Sequence, residues 1–206
     1  MADAPANSRS RLLGATIDLV RANGYAATRV EDVCVAAGVT KGSFFHHFAS
    51  KEALAIAAAG LWDHNASRLF AQAPYHTATD PLDRLLGYLQ LRKQLLAGEM
   101  WQYSCYAGTI IQETHQTYPQ IRAACAQSIV NHLAMLRTLI EDAQRAYPKA
   151  KLRADTLAVH IQAVIQGAFI MAKAQQDTQA ALHSVDHLQR YIEMLFAYVP
   201  KKKRPR

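Results

Sequence analysis

The chain has 206 residues, of which 50% are hydrophobic and 19% are charged. This composition excludes wholesale disorder, and the length suits one large domain or two small ones. The net charge is +7, but five positive charges lie in the last six residues, so the rest of the chain is nearly balanced. Bulk charge by itself therefore does not predict nucleic-acid binding.

Apolar stretches and cysteines restrict where the protein can act. The longest apolar stretch, residues 53–62, is too short for the ~20 residues that a membrane helix needs. No long apolar segment near the N-terminus indicates a signal peptide. The three cysteines, Cys34, Cys105 and Cys125, fit neither a disulfide framework nor zinc-ligand spacing. We expect a cytoplasmic protein without a membrane segment, bound metal or cofactor.

Helical periodicity and capping signals divide the chain into about nine helices, and no segment has the pattern of a strand. A small three-helix unit at the N-terminus should precede a larger helical bundle. The predicted helices cover residues 8–22, 28–37, 40–47, a long segment from 50, 81–97, 102–115, about 117–147, 154–175 and 178–199.

Several of these boundaries rest on capping residues. Asn23-Gly24 should end the first helix, and Thr40, Ser50 and Asp80 should each begin one. Thr28-x-x-Glu31 and Thr117-x-x-Gln120 have the spacing of capping boxes. We therefore expect the second helix to begin at Thr28 and the seventh near Thr117.

The segment from Thr28 to Lys51 has the pattern of a helix-turn-helix. Gly38 permits a tight turn between two short helices, and apolar residues such as Phe44 can pack on the first helix. Thr40, Lys41 and other polar residues then face outwards. A compact packing unit without DNA affinity would need the same glycine and apolar residues, but it would not explain the polar cluster on the other side.

This segment resembles the N-terminal signature of the TetR family of transcriptional regulators. The resemblance is carried by Gly-Tyr-x-x-Thr, then Val-x-x-Ala-Gly-Val-Thr-Lys-Gly-Ser-Phe-Phe-His-His-Phe-x-Ser-Lys-Glu-x-Leu, and it covers residues 9–54. It implies an all-α protein with a DNA-binding domain at 1–49, a ligand-binding and dimerisation domain at 50–200 and a basic tail at 201–206. It also implies a homodimer that binds a palindromic operator, usually as a repressor, and is released by a small-molecule effector.

The resemblance implies a DNA-binding role for eight residues. Thr28, His46 and Lys51 match backbone-phosphate contacts, and Thr40, Lys41 and Ser43 match contacts at the head of the recognition helix, where Gly42 allows close approach. Phe45 stands where the family usually has tyrosine, so it can contact a sugar or thymine methyl but lacks the hydroxyl bond to phosphate. Because adjacent helical residues do not share a face, we expect His46 to point outwards and His47 inwards.

The second domain contains candidate effector-binding residues: Trp62, Trp101, Tyr103, Cys105 and Tyr106. Cys105 should lie in the first turn of a helix, where the dipole can lower a thiol pKa. Residues 105–122 resemble a branch of the family that includes repressors responding to electrophiles and unsaturated small molecules. Cys105 is therefore either a sensor of electrophiles or oxidants, or a small buried residue.

Two apolar stripes near the C-terminus are candidates for the dimer interface, consisting of Leu157, Ile161, Val164, Ala168 and Met171, and of Leu182, Val185, Leu188, Ile192 and Leu195. Two such helix pairs, one from each chain, can form a four-helix bundle. Periodicity does not distinguish this arrangement from burial of both stripes within one chain.

Two other functions are compatible with parts of the sequence. An enzyme would use Cys105 as nucleophile with His115 or His132 as base, but His115 is too far along the same predicted helix. A helical carrier with a vestigial DNA head would not need Thr40, Lys41 and Lys51. We conclude that the chain is a DNA-binding regulator and not an enzyme, with double-stranded DNA, a second copy of itself and an unidentified small molecule as partners.

Overall fold

A computed structural model describes residues 7–197. Within that range the protein has nine α-helices, two short 3₁₀ helices and no strand, which confirms the all-α prediction. The helices are α1 (Ser8–Asn23), α2 (Val30–Ala37), α3 (Lys41–His47), α4 (Lys51–Ala71), α5 (Pro81–Gln94), α6 (Tyr106–Thr114), α7 (Pro119–Ala146), α8 (Ala154–Gln175) and α9 (Thr178–Leu195), with 3₁₀ turns at Pro74–Thr77 and Met100–Tyr103.

The chain forms two compact units. The first contains the described residues up to Ala71 together with Gly98–His132, and the second contains Gln72–Ala97 and the described residues from Leu133 onwards. The predicted boundary at residues 49 and 50 separates a DNA-binding domain from a ligand-binding domain, which is a functional division, and it stays a prediction. The basic tail at 201–206 lies outside the described residues.

Helix α1 lies at the centre of the first unit and packs against α2, α3, α4 and α6. Leu12 and Val20 of α1 are at most 1% exposed, and so are Phe44 of α3, Leu54 of α4 and Tyr106 of α6. All five belong to one hydrophobic core. The helix-turn-helix and helix α6 are therefore supported by the same apolar cluster.

Local capping signals are confirmed at several helix ends. Ser43 N–H donates to Thr40 Oγ1 (3.1 Å), Ala53 N–H to Ser50 Oγ (3.1 Å) and Leu82 N–H to Asp80 Oδ1 (3.0 Å). Gly24 ends α1 with φ of 88°, and Gly38 ends α2 in the left-handed region with φ of 61°. A residue with a Cβ would be strained at either position.

The capping box predicted at Thr28 is wrong. Helix α2 begins at Val30, and the Arg29 N–H donates to the Asp32 carboxylate (3.1 Å). The Thr28 hydroxyl instead donates to the Gly24 carbonyl (2.7 Å). The competing backbone acceptor four residues earlier takes the hydroxyl, which is a common alternative for threonine.

Four other boundaries differ from the predictions. The helix expected over 102–115 is interrupted at Ser104 and Cys105, where a 3₁₀ turn ends and α6 begins. Helix α7 begins at Pro119, two residues after the predicted cap at Thr117. Proline suits the first helical position because its missing N–H has no acceptor there. Helix α5 ends at Gln94 and α9 at Leu195, and the predicted end at Val199 lies outside the described residues.

The second unit is organised around α8, which packs on α9, while α9 also packs on α5. Most of the two predicted apolar stripes face this interior, since Leu157, Ile161, Ala168, Val185, Leu188 and Ile192 are buried. Val164, Leu182 and Leu195 are half-buried, and Met171 is exposed. The stripes therefore serve mainly packing within the chain, which was the alternative to the dimer interface.

A second apolar face of α8 and α9 remains uncovered within one chain. Its members are Val159, Ile170 and Met171 of α8 and Tyr191 and Met194 of α9, which are between 44% and 78% exposed. In the described part of the chain, α8 is the one helix long and apolar enough to cross a membrane by length and composition. A helix is also apolar on two sides when one side packs within its own chain and the other packs against a partner protein.

Candidate functional site

Helix α3, the second helix of the helix-turn-helix, is anchored by a buried aromatic residue. Phe44 is fully buried and packs edge-on against Phe45 (5.0 Å between ring centroids) and against Phe48 (6.1 Å). Thr40 caps the helix, and Gly38 forms the preceding turn. Because one side of this short helix is fixed by Phe44, its other side is presented to solvent.

Four of the predicted DNA contacts lie on that exposed side: Lys41, Gly42, Phe45 and His46. Phe45 is 55% exposed, so its ring is accessible to another molecule. Thr40 is exposed and Ser43 is half-buried at the start of the helix. The structure thus brings these six residues together on one short surface.

The two histidines of α3 differ in their surroundings, as expected. His46 is exposed, whereas His47 is half-buried and its Nε2 lies 2.6 Å from the Ser8 hydroxyl. No group of three or more His, Cys, Asp or Glu side chains within residues 7–197 is arranged to hold a metal ion.

Lys41 is paired within the chain. Its Nζ lies 2.5 Å from Glu31 Oε1, and both side chains are more than half exposed. The hydrogen bond raises the pKa of Lys41 and lowers the pKa of Glu31. An exposed pair of this kind is weak, so a phosphate can replace Glu31 as the partner of Lys41.

Lys51 lies at the start of α4 against an aromatic ring. Its Nζ is 4.2 Å from the centroid of the Tyr25 ring and 3.5 Å from the Ala26 carbonyl oxygen. Burial lowers the pKa of Lys51, while the nearby Glu113 acts in the opposite direction. The ammonium is therefore held in one place by the turn that follows α1.

Thr28 is placed differently from the exposed residues of α3. It is 3% exposed, and both its hydroxyl and its N–H donate within the turn, to Gly24 and Tyr25 carbonyls. Its side chain stabilises the connection from α1 to α2. A phosphate contact by Thr28 stays a prediction.

Glu113, in the last turn of α6, is a residue that sequence reasoning missed. Its carboxylate accepts from the Tyr25 N–H (2.9 Å) and from the Ala26 N–H (2.8 Å). The partners are 88 and 87 residues apart in sequence, so no local pattern could have indicated them. Through this clamp, helix α6 fixes the turn on which Lys51 rests.

The predicted effector residues gather near another missed residue, Arg21 of α1. The Arg21 side chain is 12% exposed, and its guanidinium carbon lies 5.1 Å from the Trp62 ring and 5.8 Å from the Trp101 ring. Its Nε donates to the Ser104 carbonyl (2.8 Å), and its Nη1 is 3.6 Å from Asp18. Burial lowers the pKa of Arg21, although Asp18 and Cys105 act in the opposite direction.

The five predicted effector residues are not equally accessible. Trp62, Trp101 and Cys105 are half-buried, whereas Tyr103 is 7% exposed and Tyr106 is fully buried. The Tyr106 hydroxyl donates to the Ala55 carbonyl (3.0 Å), and its ring is 6.4 Å from Trp62. The half-buried residues are the ones that a ligand could contact without unfolding the core.

Cys105 differs from the other cysteines. It occupies the N-cap of α6, and the Gly108 N–H donates to its Sγ (3.3 Å). Cys34 and Cys125 are buried, and burial raises both of their pKa values, that of Cys125 to about 12. Cys105 is half-buried, so it is the most accessible of the three thiols.

An N-terminal helix-turn-helix followed by further helices in the same polypeptide is the architecture of a class of transcriptional regulators. Residues 12–58 match the sequence model of the family described as "Bacterial regulatory proteins, tetR family". The description "Transcriptional regulator LmrA/YxaF-like, C-terminal domain" matches residues 81–187, more than half of the chain. The chain belongs to the TetR family of transcriptional regulators.

Named relatives agree with this assignment. The transcriptional regulator AcuR of Cereibacter sphaeroides is 29% identical over 113 residues, which are 55% of this chain but only 52% of AcuR. The transcriptional repressor DhaR of Mycobacterium sp. strain GP1 is 25% identical over 157 residues, 76% of this chain and 77% of DhaR. Both are named as regulators, and neither as an enzyme.

A solved structure has the same fold. The regulatory protein TetR from Rhodobacter sphaeroides superposes with a TM-score of 0.81 at 24% identity, covering 90% of this chain and 99% of that protein. This likeness concerns the fold alone.

The Glu113 clamp yields a first prediction. Glu113→Gln should weaken binding to DNA from upstream of the protein's own gene by about fivefold, or about 1 kcal/mol. The amide oxygen of glutamine can still accept from one of the two backbone N–H groups, but its NH₂ group is a donor and cannot accept from the other. The turn beneath Lys51 therefore loses one of its two hydrogen bonds to α6. Fluorescence anisotropy measures the affinity, and Gln112→Ala on the exposed side of α6 is the control. An unchanged affinity for Glu113→Gln would contradict the role of the clamp.

Proposed function

We propose that this protein is a ligand-responsive repressor that binds a palindromic operator as a homodimer in the cytoplasm and is released by a small-molecule effector. The observation that carries the proposal is the exposed surface of α3, on which Lys41, Gly42, Phe45 and His46 lie opposite the anchor Phe44. The family assignment supports DNA binding, and the name of DhaR supports repression.

In this proposal the start of α3 enters the major groove. Thr40 and Ser43 contact base edges, Lys41 exchanges Glu31 for a phosphate, and Gly42 lets the backbone approach closely. Phe45, whose ring is exposed in the free protein, covers a sugar or a thymine methyl.

Two residues contact the phosphate backbone in this proposal, and a third supports them from the turn before α2. His46 and Lys51 contact phosphates, and Thr28 stabilises the turn that leads into α2. Phosphate contacts supply affinity without sequence preference, whereas base contacts supply specificity.

The exposed apolar face of α8 and α9 supports dimerisation with a second copy. Val159, Ile170 and Met194 are each more than half exposed, and the same face on a second chain would cover them about a twofold axis. A dimer that reads a palindrome must present its two recognition helices ~34 Å apart. An effector that favours another separation lowers DNA affinity by its differential affinity for the two states.

A second candidate mechanism is electrophile sensing through Cys105. The specific observation is that Cys105 is half-buried at a helix N-terminus, whereas Cys34 and Cys125 are buried. Modification there would disturb the start of α6, whose last turn carries the Glu113 clamp. Modification of Cys105 at one end of α6 would then displace Glu113 at the other end and the turn that it holds.

Removal of the Lys51 side chain tests DNA binding directly. Lys51→Ala should weaken binding on all DNA sequences and reduce the slope of log affinity against log salt by about 1, because one phosphate contact is lost. Lys149→Ala, an exposed lysine beyond α7, is the control. Anisotropy titrations at several salt concentrations measure both quantities, and an unchanged slope for Lys51→Ala would refute its role.

Charge on the apolar face of α9 tests the dimer. Met194→Asp should convert the dimer to monomers, because a carboxylate in a buried apolar interface loses its hydration without a partner. Light scattering after size-exclusion chromatography measures the mass, and Val35→Asp, at an 82% exposed position on α2, is the control. A monomeric wild type, or a dimeric Met194→Asp variant, would count against this interface.

The reaction of Cys105 with N-ethylmaleimide tests the second mechanism. The thiol gives up its proton to water, the sulfur forms a bond to one alkene carbon as the C=C π bond breaks, and the other alkene carbon takes up a proton from water. Mass spectrometry should find the adduct on Cys105, and DNA affinity should fall in the wild type but not in Cys105→Ser. If no adduct forms on Cys105 and DNA binding persists, the mechanism is wrong.

A further inference from the structure

We propose that Arg21, between Trp62 and Trp101, binds the carboxylate group of a small organic acid, and that such an acid is the effector. This inference rests on the proposed ligand-responsive function and specifies its ligand class. It adds Arg21 to the half-buried residues of the cluster, Trp62, Trp101 and Cys105.

The charge of Arg21 is poorly compensated. A guanidinium has five N–H donors, yet in Arg21 one acceptor, the Ser104 carbonyl, lies within hydrogen-bond distance. Asp18 is 3.6 Å away and its side chain is 58% exposed, so it is a loose partner. A side chain that is only 12% exposed has also lost most of its hydration. An anion would supply the missing acceptors.

The rings favour a planar ligand. Trp62 and Trp101 contact Arg21 over their ring faces, while the N–H donors of a guanidinium point outwards in its own plane. A carboxylate binds such donors side by side through two oxygens in that plane. Its hydrocarbon part can then lie along the indole rings, which accept apolar groups.

The charge balance favours a monoanion. Arg21 is the cation that the described contacts place in this cluster, and Asp18 already contributes one negative charge nearby. With Asp18 included, one carboxylate brings the cluster to a net charge of −1 and a phosphate dianion brings it to −2, so the monoanion leaves less excess negative charge in a half-buried site.

The location couples the ligand to the DNA head. Arg21 belongs to α1, whose other side packs against α2 and α3. Its hydrogen-bond partner Ser104 precedes Cys105, the N-cap of α6, and Glu113 at the other end of α6 holds the turn at Tyr25. A carboxylate bound to the remaining N–H donors would pull on the guanidinium that holds the Ser104 carbonyl through Nε, and so disturb the start of α6.

The chain has a built-in reporter for this site, since Trp62 and Trp101 are its two tryptophans. The full-length protein would be titrated with sodium acetate, propionate, butyrate and valerate at constant ionic strength, with the corresponding primary amides as uncharged controls. We expect a saturable change in tryptophan fluorescence with at least one acid and none with its amide. No saturable change with any of the four acids, or an equal response to acid and amide, would overturn the inference.

Variants identify the binding residue. Arg21→Gln should weaken binding of the responding acid at least tenfold, and Arg21→Lys should also weaken it because the planar fork is lost. Arg92→Gln, which removes an arginine stacked on Phe169 in the second unit, should leave it unchanged. Circular dichroism checks that each variant is folded. Equal affinity in a folded Arg21→Gln protein would overturn the assignment, and the acid–amide comparison on the wild type needs no variant.

Measurement of DNA binding on the same samples distinguishes failure of the carboxylate inference from failure of the proposed repressor function. The acid that changes fluorescence should also lower affinity for the upstream DNA. If DNA binds but no acid acts on fluorescence or affinity, the carboxylate inference fails and the proposed repressor remains. If the free protein does not bind DNA at any salt concentration, the proposed function itself fails.

Discussion

Helix α1 must satisfy two sets of neighbours at once, and the rest of the first unit depends on this constraint. Its buried residues Leu12 and Val20 complete the core of the helix-turn-helix. Its C-terminal turn carries Arg21, and the N–H groups of Tyr25 and Ala26, just after the helix, donate to the Glu113 carboxylate of α6. Because the interior is close-packed, a displacement of α6 cannot be absorbed without movement of this turn.

The DNA-facing surface depends little on net charge. Lys41 is paired with Glu31, and Lys51 rests on the Tyr25 ring. Each lysine is thus held near its place before DNA arrives, which reduces the side-chain entropy lost on binding. The exposed Phe45 adds an apolar contact in the position where a tyrosine would offer a hydroxyl. In the proposed mode of DNA binding, affinity comes from a few positioned groups, and the strongly basic stretch of the sequence lies elsewhere.

The apolar character of α8 also has a structural reason. One side of the helix is buried against α9, and the other side remains exposed with Val159 and Ile170. A helix covered on both sides needs apolar residues around most of its circumference. The same composition satisfies a length-and-hydropathy criterion for a membrane helix, yet a second copy of the chain explains it equally well.

Local sequence patterns were sufficient to predict the all-α class, the helix-turn-helix and most helix starts, because caps such as Thr40, Ser50 and Asp80 act on N–H groups two or three residues away. The folded chain was needed to see that the Thr28 hydroxyl turns back to Gly24 and that the apolar stripes of α8 and α9 face inwards. It was also needed to see that Arg21 and Glu113 reach Ser104 and Tyr25. The contacts of Arg21 and Glu113 join residues 83 and 88 positions apart in sequence. Their partners are selected by packing, and periodicity carries no information about which helix will cover an apolar face or supply an acceptor.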